Sequence, residues 1–103
     1  MKREYYKLVR DKVPELILKD GDYPKFAILD DKDYRNELKL KLREECDELI
    51  DSPTIDEFAD VLEVLEAFAR ERKISWDSIV QAKEEKAKNR GSFDKRVFLM
   101  YKE

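Results

Sequence analysis

Histidine is absent from the sequence, and cysteine occurs once, as Cys46. A disulfide within the chain is therefore excluded, and the histidine and cysteine ligands of most zinc sites are missing. Catalytic triads and general bases built on histidine are excluded for the same reason. A metal bound by this chain must be a hard, oxygen-liganded cation such as magnesium, manganese or calcium.

Glycine and proline are also scarce, with 2 and 3 residues in a chain of 103. Few tight turns can form, which favours helices over a sandwich of short strands. No apolar run approaches the roughly 20 residues that span a bilayer, and the start of the chain lacks the apolar segment of a signal peptide. We therefore expect a single domain over residues 1–103, located in the cytoplasm and without a membrane partner.

Charged residues make up 46% of the chain, and the two signs are unevenly distributed. The segment 44–66 carries ten Asp or Glu residues and no Lys or Arg, whereas both ends of the chain are basic. Such a distribution arises by chance or marks a cation site beside an anion site. The net charge of −3 and the acidic middle argue against a nucleic-acid partner.

The apolar periodicity predicts an all-α fold, an antiparallel bundle of about four helices with short extended segments at both ends. Asp30 or Asp31, Thr54 and Ser75 are the expected N-caps. The connection between the two long helices is short, so these helices should be antiparallel neighbours. The apolar tail, 97–101, is expected to be a strand or an extended segment packed on the helices. The predicted helices cover residues 14–19, 32–51, 55–72 and 76–90.

Two glutamates occupy helix positions at which the periodicity predicts apolar residues. At about 100° per residue, Leu38, Leu42 and Leu49 define the buried stripe of the first long helix. Glu45 lies inside this stripe, and Glu57 lies inside the apolar arc of the next helix. A buried carboxylate is costly unless it is protonated, paired or bound to a metal.

Each of these glutamates has a second acid three residues further on, Glu48 and Asp60 respectively. Facing helices can bring four carboxylates around one small volume, where a divalent cation relieves their repulsion. Glu45, Glu48, Glu57 and Asp60 are therefore the candidate ligands of Mg²⁺, with Mn²⁺ as an alternative. In the competing interpretation these acids are solvated helix surface, and Glu57 is only the capping-box partner of Thr54.

The same residues resemble the motif of a known superfamily. Residues 44–48 (EECDE), followed by 57–60 (EFAD), resemble the EExxE…ExxD signature of the MazG-like, all-α nucleoside triphosphate pyrophosphatases. Residues 6–14 (YKLVRDKVP) and 88–93 (KNRGSF) are similar to a subgroup labelled phosphoribosyl-ATP pyrophosphohydrolase-like or house-cleaning. Together these segments extend the resemblance over most of the chain.

The resemblance implies Mg²⁺-dependent hydrolysis of a nucleoside triphosphate, or a related nucleotide, to the monophosphate and pyrophosphate. It implies that Glu45, Glu48, Glu57 and Asp60 bind the metal and that Glu44, Glu45 and Glu48 act in catalysis. Glu44 or Glu48 would take the proton of the attacking water. The eight residues between Glu48 and Glu57 are fewer than this superfamily usually shows. Related enzymes form homodimers or larger homo-oligomers, and we expect the same here.

Basic residues near the two ends are the expected phosphate contacts. Lys88 and Arg90 are the first candidates, with Arg10 and Lys12 assisting, because guanidinium and ammonium groups bind phosphate oxygens. The alternative is that they are ordinary surface residues. A second function class stays open at this point, a non-catalytic helical module for interaction or oligomerisation whose acids bind a basic partner.

Overall fold

The computed structural model describes residues 2–103, which form four α-helices and no strand. The all-α prediction is confirmed, and every predicted helix boundary lies within one residue of the observed one. None of the helices in the described residues combines the length and apolar character that a membrane crossing requires. The helices are α1 (Val13–Lys19), α2 (Asp31–Asp51), α3 (Ile55–Glu71) and α4 (Trp76–Arg90).

The ends of the three longer helices are set by local hydrogen bonds. Asp30, Thr54 and Ser75 are the N-caps of α2, α3 and α4, and each side-chain oxygen accepts a hydrogen bond from the backbone N–H three residues further on. Gly91 ends α4 with φ of +81°, a conformation that costs glycine little. The capping chemistry of the sequence therefore determines where these helices start and stop.

The helices α2 and α3 form an antiparallel hairpin joined by residues 52–54. At the open end of the hairpin, Arg35 Nε donates a hydrogen bond to Glu71 Oε1 at 2.6 Å. The Glu71 side chain is buried, so this ion pair is shielded from solvent on one side. It joins the start of α2 to the end of α3, at the end of the hairpin opposite to the acidic residues.

The hydrophobic core of the chain is small. Leu38, Val64 and Ala69 are the only buried apolar side chains in residues 2–103. The radius of gyration is 18.3 Å, whereas a compact domain of this length would have about 13 Å. The tail, 97–101, is extended and exposed, so the prediction that it packs on the helices is wrong. The reason is that the tail follows α4, which itself contacts the hairpin over only a short stretch of α3.

Candidate metal centre

Three carboxylates meet where the closed end of the hairpin aligns α2 with α3. Glu45, Glu57 and Asp60 each place one oxygen so that all three lie within 4.8 Å of one another. Opposite ligands of a six-coordinate Mg²⁺ are about 4.2 Å apart, so small side-chain rotations would close the group on such a cation. The short connection between the motifs therefore does bring Glu45 of the first beside Glu57 and Asp60 of the second.

Two oxygens of this group are buried without a hydrogen-bond partner, Glu45 Oε2 and Glu57 Oε2. The Glu45 residue is only 7% exposed, and burying an unsatisfied carboxylate oxygen costs roughly 1–3 kcal/mol or more. The oxygens are the donor atoms that a hard divalent cation prefers. The residues present therefore fit a metal of the magnesium class.

The two simpler interpretations of these acids meet specific obstacles in the structure. Glu45 is not solvated surface, and its Oε1 lies 3.3 Å from Lys41 Nζ while Oε2 has no partner. Glu57 does take part in capping, but through its backbone N–H, which donates to Thr54 Oγ1. Its carboxylate instead turns an oxygen into the buried group, which a capping role alone does not explain.

Glu48 is the predicted ligand that lies outside the group of three. Its side chain is exposed to solvent. The pKa of Glu48 is raised, first by repulsion from Glu45 and further by desolvation and by the charges of Glu57 and Glu44. Glu48 is thus close enough to be repelled by the neighbouring acids, while its carboxylate stays accessible from solvent.

A basic segment, residues 7–12, lies across both helices beside the acids. Lys7 Nζ donates a hydrogen bond to Glu44 Oε1 on α2 at 2.9 Å, and Arg10 Nη2 donates to Asp60 Oδ1 on α3 at 2.7 Å. The hydrogen bond raises the pKa of Lys7 and lowers the pKa of Glu44. The basic segment therefore places two positive charges at the edge of the acidic group.

The other predicted phosphate contacts do not meet the acids in the structure. Lys12 is exposed at the start of α1, and Lys88 and Arg90 are exposed in the last turn of α4. None of the three forms an ion pair with a residue of the described range 2–103. Their assignment stays a prediction, whereas Arg10 is in place beside Asp60.

Two cations of the site, Lys7 and Lys41, were not among the predicted site residues. Lys41 had a local signal, because it precedes Glu45 by four residues and side chains at that spacing meet on a helix. Lys7 had none, since its partner Glu44 is 37 residues away. Only the path of the basic segment across the hairpin brings Lys7 to α2.

The fold and the site together define an all-α chain with a candidate divalent-cation centre in a helical hairpin. Comparisons with protein-family models, curated proteins and solved structures found no match to this chain. The resemblance to the MazG-like pyrophosphatases therefore stays a prediction from the sequence motifs.

Proposed function

We propose that this chain is a Mg²⁺-dependent nucleoside triphosphate pyrophosphohydrolase of the MazG-like type. Water would attack the α-phosphorus of the nucleotide, and the bond to the β-phosphate oxygen would break to release pyrophosphate. The observation that carries this proposal is the buried Glu45 carboxylate, which has a partnerless oxygen beside Glu57 and Asp60. These three residues would hold Mg²⁺ or Mn²⁺. Glu48, the fourth ligand that the resemblance implies, lies outside this group.

A bound divalent cation would supply charge neutralisation for phosphate oxygens and a lower pKa for bound water. The chain itself must provide the group that takes the proton of the attacking water. Between the two candidates, Glu48 suits this role better than Glu44. Its carboxylate is exposed and forms no ion pair with a basic residue in the part of the chain that the structure describes. Glu44 is instead engaged by Lys7, which lowers its pKa and its basicity.

Arg10 would bind a phosphate of the substrate. Its guanidinium is held at the edge of the acids by Asp60, and a second nitrogen lies 4.0 Å from Glu63 Oε1. A guanidinium can bind phosphate through two parallel hydrogen bonds. Lys88, Arg90 and Lys12 remain candidates for further phosphate contacts on the strength of the resemblance.

We also propose that the active form is a homodimer or a larger homo-oligomer. The chain exposes 10133 Å², whereas a compact monomer of its mass would expose roughly 6,100 Å². The excess is roughly 4,000 Å². In obligate complexes each chain buries about 1,000–2,500 Å² at its interface. Association of copies would cover much of this surface and give the hairpin the core that it lacks.

The proposed setting is the cytoplasm, where the reaction would remove non-standard nucleotides. The house-cleaning resemblance supports this role, and a single unpaired cysteine suits a reducing compartment. A non-catalytic interaction module is the second candidate, and the large exposed apolar surface favours it. A turnover assay separates the enzyme from the interaction module, because a module without catalysis would release no pyrophosphate from any nucleotide.

The test is a screen of ordinary and damaged nucleoside triphosphates with Mg²⁺, with pyrophosphate as the readout. We expect pyrophosphate release that stops with a chelator and falls at least about 100-fold in Glu45→Gln and Asp60→Asn. Glu37→Gln and Asp47→Asn are matched controls on α2, and they should keep the activity. Turnover that survives both site substitutions would refute the metal assignment, and absence of turnover with every substrate would favour the interaction module.

A further inference from the structure

A stripe of large apolar side chains runs along α3 and faces solvent. Ile55, Phe58, Leu62 and Leu65 are 87%, 59%, 47% and 38% exposed. Their spacing alternates three, four and three residues, which is the spacing of the a and d positions in paired helices. We call these four residues the outer stripe.

The outer stripe is distinct from the face that α3 turns towards α2. At about 100° per residue, the stripe is centred roughly 120° away from the inner face that carries Glu57 and Val64. Asp60 lies on the other side of that inner face, roughly 160° from Leu62. A partner that covers the outer stripe would therefore leave the carboxylates and the basic segment open to a nucleotide.

The side chains that flank the outer stripe also suit a helix-to-helix contact. Ala59, Val61 and Phe68 occupy flanking positions, together with the charged residues Glu66 and Arg70. Towards the end of α3 the stripe continues into a second shallow apolar groove, which begins at Leu65 and includes Trp76. An apolar face of this extent on a single chain needs a covering partner.

We infer that the outer stripe is the contact between two copies of this chain, which pack α3 against α3 antiparallel about a two-fold axis near Leu62. A two-fold contact requires a self-complementary patch, and an antiparallel axis between Val61 and Leu62 would set Phe58 opposite Leu65 and Ile55 opposite Phe68, all apolar. The antiparallel direction separates the two acidic ends of α3, which a parallel pair would bring together. The inference builds on the homo-oligomer proposed above and does not depend on the proposed catalysis.

The first test measures mass in solution by light scattering after size-exclusion chromatography. We expect wild type at twice the 12.4 kDa chain mass or a multiple of it. Leu62→Lys should raise the dimer dissociation constant at least about 100-fold, whereas Phe93→Lys, at a residue that is 96% exposed elsewhere in the chain, should leave it unchanged. Wild type at monomer mass would refute both the oligomer and the stripe contact.

A second test does not require Leu62→Lys to fold. In a Cys46→Ser background, Leu62→Cys should form a disulfide between copies under mild oxidation, and the neighbouring Glu63→Cys should not. Mixed Phe58→Cys and Leu65→Cys chains should crosslink to each other, as the antiparallel arrangement requires. If wild type is an oligomer but Leu62→Cys fails to crosslink, this interface is wrong. It is also wrong if Phe58→Cys of one copy crosslinks to Phe58→Cys of the other. Neither result bears on the proposed enzyme activity.

Discussion

Replacing Glu45 with glutamine should have opposite effects on stability without and with magnesium. The substitution keeps the size of the side chain and removes one negative charge, that of the buried member, from the group of three acids. Without metal the negative charge of Glu45 destabilises the fold, because one oxygen each of Glu57 and Asp60 lies within 4.8 Å of a Glu45 oxygen and because Glu45 Oε2 has no partner. With metal bound, the Glu45 carboxylate would be a ligand, so its loss should lower stability.

The magnitude without metal follows from the distances. At an effective dielectric constant of 20, each of the two repulsions across at most 4.8 Å amounts to roughly 3–4 kcal/mol, and the attraction of Lys41 at 3.3 Å to about 5 kcal/mol. Removal of the charge therefore relieves more repulsion than it loses attraction. After allowance for solvent screening, we expect Glu45→Gln to raise the free energy of unfolding without metal by about 1 kcal/mol.

The magnitude with metal follows from mass action. Free Mg²⁺ at 100 times its dissociation constant adds about 2.7 kcal/mol to the stability of the wild type. For a domain of this size, 1 kcal/mol shifts Tm by about 4–8 °C. The Tm of wild type should therefore be roughly 10–20 °C higher in Mg²⁺ than in EDTA, whereas the Tm of Glu45→Gln should rise much less. The order of the two proteins should reverse.

Thermal unfolding followed by circular dichroism in EDTA and in excess Mg²⁺ measures both effects. Glu37→Gln is the matched control, because it removes a glutamate charge from α2 outside the acidic group. It should change stability little and keep the full response to Mg²⁺. A loss of several kcal/mol by Glu45→Gln in EDTA would show that Glu45 is structurally paired, and an unchanged Mg²⁺ response would show that it is not a ligand.

Three further predictions concern the ion pairs of the hairpin. Arg10→Met should tighten Mg²⁺ binding without nucleotide, measured by calorimetry, because a competing positive charge is removed, and should slow pyrophosphate release. Lys7→Met should lower stability at pH 7 by up to about 1 kcal/mol, since the pair is partly exposed. Lys7 lowers the pKa of Glu44, so this loss should disappear as pH falls below the ordinary glutamate pKa and Glu44 is protonated in both states. Arg35→Met should lower the free energy of unfolding in urea by about 1–3 kcal/mol, because Glu71 is left buried without its partner.

Each of these predictions has an outcome that contradicts it. Weaker Mg²⁺ binding in Arg10→Met would mean that the basic segment supports the metal site rather than competing with it. A loss in Lys7→Met that grows as the solution is acidified would contradict the Glu44 pairing, and Lys2→Met, at an exposed pair, should show no such pH dependence. An Arg35→Met protein as stable as wild type would mean that the pair contributes little to the stability of the hairpin.

The residue pattern alone could predict the features that depend on neighbours within one or two helical turns. The helices began and ended where Thr54, Ser75 and Gly91 favoured it, because capping is a local exchange of hydrogen bonds. Glu45 could be identified as buried because its angular position in α2 follows from helical geometry. The all-α fold class followed from the same periodicity.

The pairing of distant residues could not be predicted in this way. The two contacts of the basic segment join residues that are 37 and 50 positions apart, and neither periodicity nor capping determines such a contact. The ion pair of Arg35 with Glu71, which joins α2 to α3 across 36 positions, was also unpredicted. Glu48 was grouped with the other ligands because it follows Glu45 by three residues. That spacing places the two side chains near each other on α2, but it does not determine which of them α3 covers.

The sequence by itself therefore determined the helices and the presence of carboxylates at apolar helix positions, since both depend on short-range geometry. Only the tertiary structure decided that Glu45 lies beside Glu57 and Asp60, and that Glu48 stays in solvent, because those positions depend on how two helices align. The tertiary structure likewise decided which face of α3 is left uncovered. A helix with apolar residues on two sides can bury either one, and the packing of α2 on the inner side leaves the outer stripe exposed.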